Sequence, residues 1–104
     1  MLSEQTRQRI EELLKQHQVV LFMKGSPAQP QCGFSHRAAA ILAELGITFK
    51  AVDVLADPEI REGIKVFGNW PTIPQLYVNA DLVGGSDIMM EMFESGELKE
   101  MLKA

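Results

Sequence analysis

Cys32 is the single cysteine in a chain of 104 residues, and it stands in the run Pro27-Ala28-Gln29-Pro30-Gln31-Cys32-Gly33-Phe34-Ser35. From Ser35 the sequence turns helical, so the thiol falls at or just before a helix N-terminus. Unpaired N–H groups there favour negative charge and lower a thiol pKa. Free cysteine is also a common buried small hydrophobe. A core cysteine would sit on the apolar stripe of the helix, whereas this one precedes Gly33-Phe34-Ser35, which favours a reactive thiolate. One cysteine makes no internal disulfide. Redox or metal chemistry here must take its second sulfur from another molecule.

Other residues with chemical potential lie further along. Trp70-Pro71-Thr72-Ile73-Pro74 ends in a proline immediately before an apolar stretch. A trans proline opening an edge strand is one reading, since cis forms are about 5–6% of X–Pro bonds. The other is a cis peptide that turns the backbone of Ile73 outward to pair with an extended peptide. Gly84-Gly85-Ser86-Asp87 reads either as helix punctuation or as a carboxylate site of free N–H groups, with Asp87 accepting from an ammonium. Lys24 and Arg61 are solvated surface charges by default. Close to a thiolate, two such cations would lower its pKa and hold a carboxylate. His36 lies four residues after Cys32, but one Cys and two His fall short of a zinc site, so a solvent-facing His36 is favoured. Met89, Met92 and Met101 fall at helical spacing and read as core.

These groups need elements to position them. Ser3 is a candidate N-cap, and Ile10, Leu13 and Leu14 predict a helix over Glu4 to Gln16. Val19-Val20-Leu21-Phe22-Met23 is a continuous apolar run, suited to a strand buried on both faces. Lys24 to Gln31 reads as loop, with Gly25, Pro27 and Pro30. The helix from Ser35 carries Ala38, Ile41, Leu42 and Leu45 on one stripe and stops at Gly46. A strand follows over Phe49 to Val54. Asp57-Pro58 then caps a helix bearing Ile60, Ile64 and Phe67. Gln75–Val78 and Asp81–Val83 pair around Asn79-Ala80 as a hairpin, and two helices close the chain, over Asp87 to Glu94 and Glu97 to Lys103. A strand–helix–strand unit demands a parallel pair with a right-handed crossover. Adding the hairpin gives an α/β protein: a mixed four-stranded sheet flanked by helices, in the thioredoxin-like arrangement.

Composition bounds the function. The length suits one domain, over residues 1–104. Net charge is −4 with no basic stripe, which argues against a nucleic-acid partner. The longest apolar run, Val19 to Met23, is far short of the ~20 residues that span a bilayer, so no membrane role is expected. The polar N-terminus is unlike a targeting peptide, and one unpaired cysteine fits a reducing compartment. A cytoplasmic location is expected.

Taken together, the motifs resemble those of the monothiol glutaredoxins of the Cys-Gly-Phe-Ser class. The matching stretches are Phe22-Met23-Lys24-Gly25, Pro27 to Ser35 with Cys32-Gly33-Phe34-Ser35, Trp70-Pro71-Thr72-Ile73-Pro74-Gln75, and Val83-Gly84-Gly85-Ser86-Asp87-Ile88. The similarity runs nearly the whole length in order and spacing. It implies a thioredoxin-like fold and a glutathione site. In that site Cys32 is the thiolate, with Gly33 and Phe34 shaping the approach. Lys24 and Arg61 hold the glycine carboxylate. Thr72, Ile73 and a cis Pro74 flank the cysteinyl part, with Ile73 pairing through its backbone. Gly85, Ser86 and Asp87 receive the γ-glutamyl group, its carboxylate on the Ser86 and Asp87 amides and its ammonium on the Asp87 side chain.

The resemblance further implies a [2Fe-2S] cluster with Cys32 as metal ligand. Such a cluster needs four sulfur ligands. Two chains and two glutathiones supply them, so a cluster-bridged homodimer is expected. Its partners would be BolA-like proteins and apo iron–sulfur client proteins. Some relatives carry a second cysteine where Ser86 stands, so that internal disulfide is closed to this chain. Two alternatives stay open: a glutathione-dependent thiol–disulfide oxidoreductase, and a redox-inert interaction module of the same fold.

Overall fold

The computed structural model describes residues 2–103. Its elements follow the order α1 (Glu4–Gln16), β1 (Val19–Met23), α2 (Gly33–Glu44), β2 (Lys50–Asp53), α3 (Pro58–Phe67), β3 (Gln75–Val78), β4 (Asp81–Gly84), α4 (Ser86–Ser95) and α5 (Glu97–Leu102). The four strands form one sheet in the order β2-β1-β3-β4. β1 runs parallel to β2 and antiparallel to β3, and β3 pairs antiparallel with β4. This is the mixed four-stranded sheet that the alternation of patterns predicts.

Every residue of β1 is buried because helices cover both sheet faces. Val19, Leu21 and Met23 point into a core built with Ala38, Ile41 and Leu42 of α2, Met89 of α4, and Leu98 and Leu102 of α5. Val20 and Phe22 point the other way, into a core with Ile10 and Leu14 of α1, Ile60 and Ile64 of α3, and Tyr77 of β3. Phe22 and Tyr77 meet edge to face with ring centroids 5.5 Å apart. Among the described residues, no helix is long and apolar enough to cross a membrane.

Local chemistry sets the boundaries. Ser3 Oγ accepts the Thr6 N–H at 3.1 Å and starts α1. Asp57 caps α3 by accepting the Ile60 N–H at 3.2 Å, with Pro58 in the first turn. The hairpin turns on Asn79 and Ala80, both with positive φ (51° and 69°), the backbone that a tight two-residue connection demands. β2 is shorter than the predicted Phe49 to Val54, although the Val54 N–H still donates to Met23 O at 2.9 Å. α2 differs more. It begins at Gly33, not Ser35, because Cys32 is extended (φ −155°, ψ 137°) and takes the N-cap position itself.

This topology gathers the site. The parallel strands β1 and β2 end on the same edge. β3 begins there and β4 finishes there, because both pair antiparallel along the sheet. Four connections therefore meet at one end of the sheet, where ligands bind in open α/β folds.

Candidate functional site

The loop from Lys24 to Cys32 is tied down along its length. Gln31 N–H donates to Lys24 O at 2.9 Å, and Ser26 and Gln29 exchange backbone hydrogen bonds at 3.1 and 3.2 Å. Gly25 has φ +89°, and a Cβ there would press 2.8 Å from Gln31 N, so the turn admits only glycine. Asp53, at the end of β2, accepts from both the Gly25 N–H and the Leu55 N–H at 2.9 Å. Ser35 Oγ accepts the Lys24 N–H at 3.0 Å. The loop thus hangs between two strand ends and the first turn of α2.

That first turn activates the thiol. Cys32 is half-buried and free. Its pKa is held below the ordinary thiol value, above all by the Ser35 N–H. The Phe34 N–H, the Lys24 charge and the Ser35 hydroxyl act in the same direction, against the opposing effect of burial. A helix N-terminus presents its unpaired N–H groups to a negative sulfur, which is the physical cause. Phe34 stands beside the thiol, 56% exposed. At Gly33 a Cβ would meet nothing within 4 Å, so the free chain leaves clearance next to Cys32.

Opposite the thiol, the peptide Ile73–Pro74 is cis. Among the described residues, the Ile73 N–H and C=O take part in no loop, turn or side-chain hydrogen bond. A third wall comes from the start of α4, where Gly85 is extended at the N-cap without a side-chain cap. Nothing among the described residues accepts from the N–H groups of Ser86, Asp87 or Ile88. Arg37 Nη1 lies 3.6 Å from Asp87 Oδ1, an exposed pair of small energetic weight.

These walls enclose a cavity of about 510 Å³. Lys24, Cys32 and Phe34 line it from the first loop and α2; Thr72, Ile73 and Pro74 from the loop before β3; and Gly85, Ser86 and Asp87 from α4. All nine were singled out in the sequence. Gly33 and Arg61 were also singled out but do not line the cavity. Arg61 is partly buried, and its Nε has no hydrogen-bond partner among the described residues. Lys65, Trp70, Pro71 and Ile88 complete the lining. Lys65 went unnoticed in the sequence, although it follows Arg61 by one helical turn of α3, a spacing that shares a face. Among the described residues, no three His, Cys, Asp or Glu side chains cluster as metal ligands.

The cavity lining carries both cations and anion-binding N–H groups. Lys24 and Lys65 supply cations; the α4 N-terminus supplies free N–H groups, with the Asp87 carboxylate beside them. An extended peptide with a carboxylate at one end and an amino-acid group at the other suits such a lining. Its main chain would meet the free groups of Ile73, with Cys32 lining the same cavity.

Comparison with known proteins places the chain. The glutaredoxin family model matches residues 19–83. A ycf64-like monothiol glutaredoxin of Synechocystis is 55% identical over 98% of this chain and 95% of its own length. A monomeric truncated mutant of Trypanosoma brucei 1-C-Grx1 superposes with a TM-score of 0.85 at 45% identity, over 92% of this chain and 87% of that one. A buckwheat glutaredoxin, solved as a glutathione complex, shares the fold with a TM-score of 0.84 at 22% identity, over 95% and 88% of the two chains. The chain belongs to the glutaredoxin family, on its monothiol branch.

Proposed function

We propose that this chain binds glutathione in the cavity beside Cys32 and serves as a carrier of [2Fe-2S] clusters. The observation that carries the reading is a single thiol of lowered pKa lining a cavity that also holds two lysines, the cis Ile73–Pro74 peptide and the α4 N-terminus, without a second thiol among the described residues. Lys24 and Lys65 face the glycine carboxylate. The Ile73 backbone pairs with the cysteinyl part, and the N–H groups of Ser86 and Asp87 receive the γ-glutamyl carboxylate. Arg61 does not line the cavity and is left out of this set.

The donor set fits a shared cluster. One chain offers one thiolate, and a four-sulfur site requires three more. Two copies with two glutathiones make up the number, in a cluster-bridged homodimer. The Ser35 and Phe34 N–H groups and the Lys24 charge lower the Cys32 pKa and so favour the thiolate, the form that ligates metal. Glutathione is exchangeable, so the ligand set suits transfer to apo iron–sulfur client proteins. A BolA-like protein would replace one subunit, and the cytoplasm is the proposed site of action.

The same thiolate supports a second reading, glutathione-dependent reduction of protein mixed disulfides. Cys32 Sγ attacks the glutathione sulfur, and the protein thiolate leaves. The glutathione on Cys32 is then displaced by a second glutathione thiolate, giving glutathione disulfide and free Cys32. Reconstitution and a turnover assay together separate the two readings. Anaerobic reconstitution with iron, sulfide and glutathione is expected to give visible cluster absorption and a monomer-to-dimer shift. Both should be lost without glutathione and in Cys32→Ser. A cluster formed equally well without glutathione overturns the ligand set. Strong turnover on a glutathionylated protein without cluster formation supports the enzyme instead.

A further inference from the structure

The cavity wall from Trp70 to Ile73 has little main-chain support of its own. Among the described residues, the Trp70 N–H donates to Lys65 O at 3.0 Å, and no other backbone–backbone hydrogen bond outside the helices and strands ties residues 70–74. The remaining support comes from one side chain behind the wall. Gln75 opens β3 at 0% exposure and does not line the cavity. Its Nε2 donates to Trp70 O at 3.0 Å and to Thr72 O at 3.1 Å. Its Oε1 accepts from the Tyr77 hydroxyl at 3.0 Å. Two carbonyls on one side require the amide's NH₂ end, and a phenol O–H on the other meets its oxygen, so the orientation is fixed by chemistry.

The backbone leaves room for this arrangement. A Cβ on residue 68 would collide with Tyr77 Oη and stand 3.1 Å from Gln75 Oε1, and the chain has Gly68 there. On its other side the wall meets the α4 turn: a Cβ on Gly85 would lie 3.6 Å from Trp70 Nε1 and 3.3 Å from Pro74 O. Movement of the Trp70 loop would therefore disturb two sides of the cavity. A buried amide with its donors and acceptor engaged is a rigid support, and losing it orphans several polar groups at once.

We propose that Gln75 is a positioning residue for ligand binding: it holds the Trp70–Ile73 wall in its receiving geometry through the Trp70 and Thr72 carbonyls, with Tyr77 orienting its amide across Gly68. The proposal rests on the reading of the cavity as a glutathione site.

Trp70 is the single tryptophan, so its emission reports the wall directly. Gln75→Met keeps the length of the side chain and removes the donors and the acceptor. In the ligand-free variant, Trp70 emission is expected to shift to the red and quench more readily with acrylamide. Its glutathione dissociation constant by calorimetry should rise by about tenfold. Unchanged emission and affinity in a folded Gln75→Met overturn the proposal, whatever happens to its melting temperature. Should that variant fail to fold, Tyr77→Phe removes only the orienting hydroxyl and should weaken binding by about threefold with the same spectral shift; wild-type emission and affinity there also overturn it. Wild-type protein that does not bind glutathione sinks the site reading alone, since the ligand-free emission still tests the wall.

Discussion

Ser35 Oγ accepts the backbone N–H of Lys24 at 3.0 Å from a position fully closed to solvent. The bond joins the first turn of α2 to the end of β1, and Cys32 lies between the two in the chain. Ser35 thereby acts twice. Its N–H is the largest influence lowering the Cys32 pKa, and its hydroxyl adds a smaller one while fixing the loop that carries the Lys24 charge.

Ser35→Ala keeps the N–H and loses the hydroxyl. A partly buried Lys24 N–H without an acceptor costs about 1 kcal/mol, which urea unfolding should register. The Cys32 pKa, read from the pH profile of alkylation, should rise only slightly, because the dominant N–H survives. A large rise with unchanged stability would reverse the assignment of roles.

Lys24 and Lys65 are the two cations on the cavity wall. Lys65 also lies 3.4 Å from Glu62, a partner on the exposed side of α3. If both lysines hold the ligand carboxylate, Lys24→Gln and Lys65→Gln should each weaken glutathione binding by roughly 3- to 10-fold at low salt. The difference from wild type should shrink as salt screens the exposed partners. Only Lys24→Gln should also raise the Cys32 pKa, since Lys24 is the cation that acts on the thiol. Equal alkylation profiles for the two variants would refute this division.

The sequence made most of the frame legible where one physical signal dominated. β1 is apolar throughout because it is buried on both faces, and Ser3 and Asp57 mark helix starts because their oxygens accept the N–H groups they precede. The start of α2 was less clear. Glycine is a poor helix former and Phe34 points to solvent rather than along the core stripe, so the pattern begins late although the backbone is already helical at Gly33. The Ile73–Pro74 bond could not be assigned by local rules, because both isomers precede strands. Lys65 was hidden by the ordinary reading of lysine as a solvated charge, and only the fold brings it to the cavity. Gln75 was hidden differently: nothing in a Pro74-Gln75-Leu76 run tells that the amide is buried under a loop.

Asp57 couples α1 to α3 by pH. Its carboxylate is held below the ordinary range, chiefly by the hydrogen bond from Arg9, with the Ile60 and Glu59 N–H groups adding to it against the effect of burial. A carboxylate depressed in the folded state stabilises the protein above the unfolded-state pKa of ~3.9, and the contribution disappears as pH falls through the lower folded value. Asp57→Asn retains a good capping residue and removes the charge. At neutral pH it should cost about 0.5–1 kcal/mol, and the gap to wild type should close on acidification below pH ~4. A gap that persists at low pH would assign the loss to the cap rather than to Arg9.

Gly68 and Tyr77 supply a test of the packing behind the cavity that needs no ligand. Gly68→Ala places a methyl against Tyr77 Oη, with Gln75 Oε1 at 3.1 Å. Gly68 has an ordinary right-handed backbone (φ −87°), so alanine costs nothing through conformation and the penalty is steric. Overpacking of a closed site destabilises by about 1–3 kcal/mol. Tyr77→Phe removes the oxygen that the methyl meets, at the expense of the hydrogen bond to Gln75. Each single change should therefore destabilise, and the double variant Gly68→Ala/Tyr77→Phe should lose less than the sum of the two. A double-mutant cycle by urea unfolding measures that coupling. Strict additivity would mean that Tyr77 swings clear of the methyl without cost, and that the hydroxyl is not held where the Gln75 amide requires it.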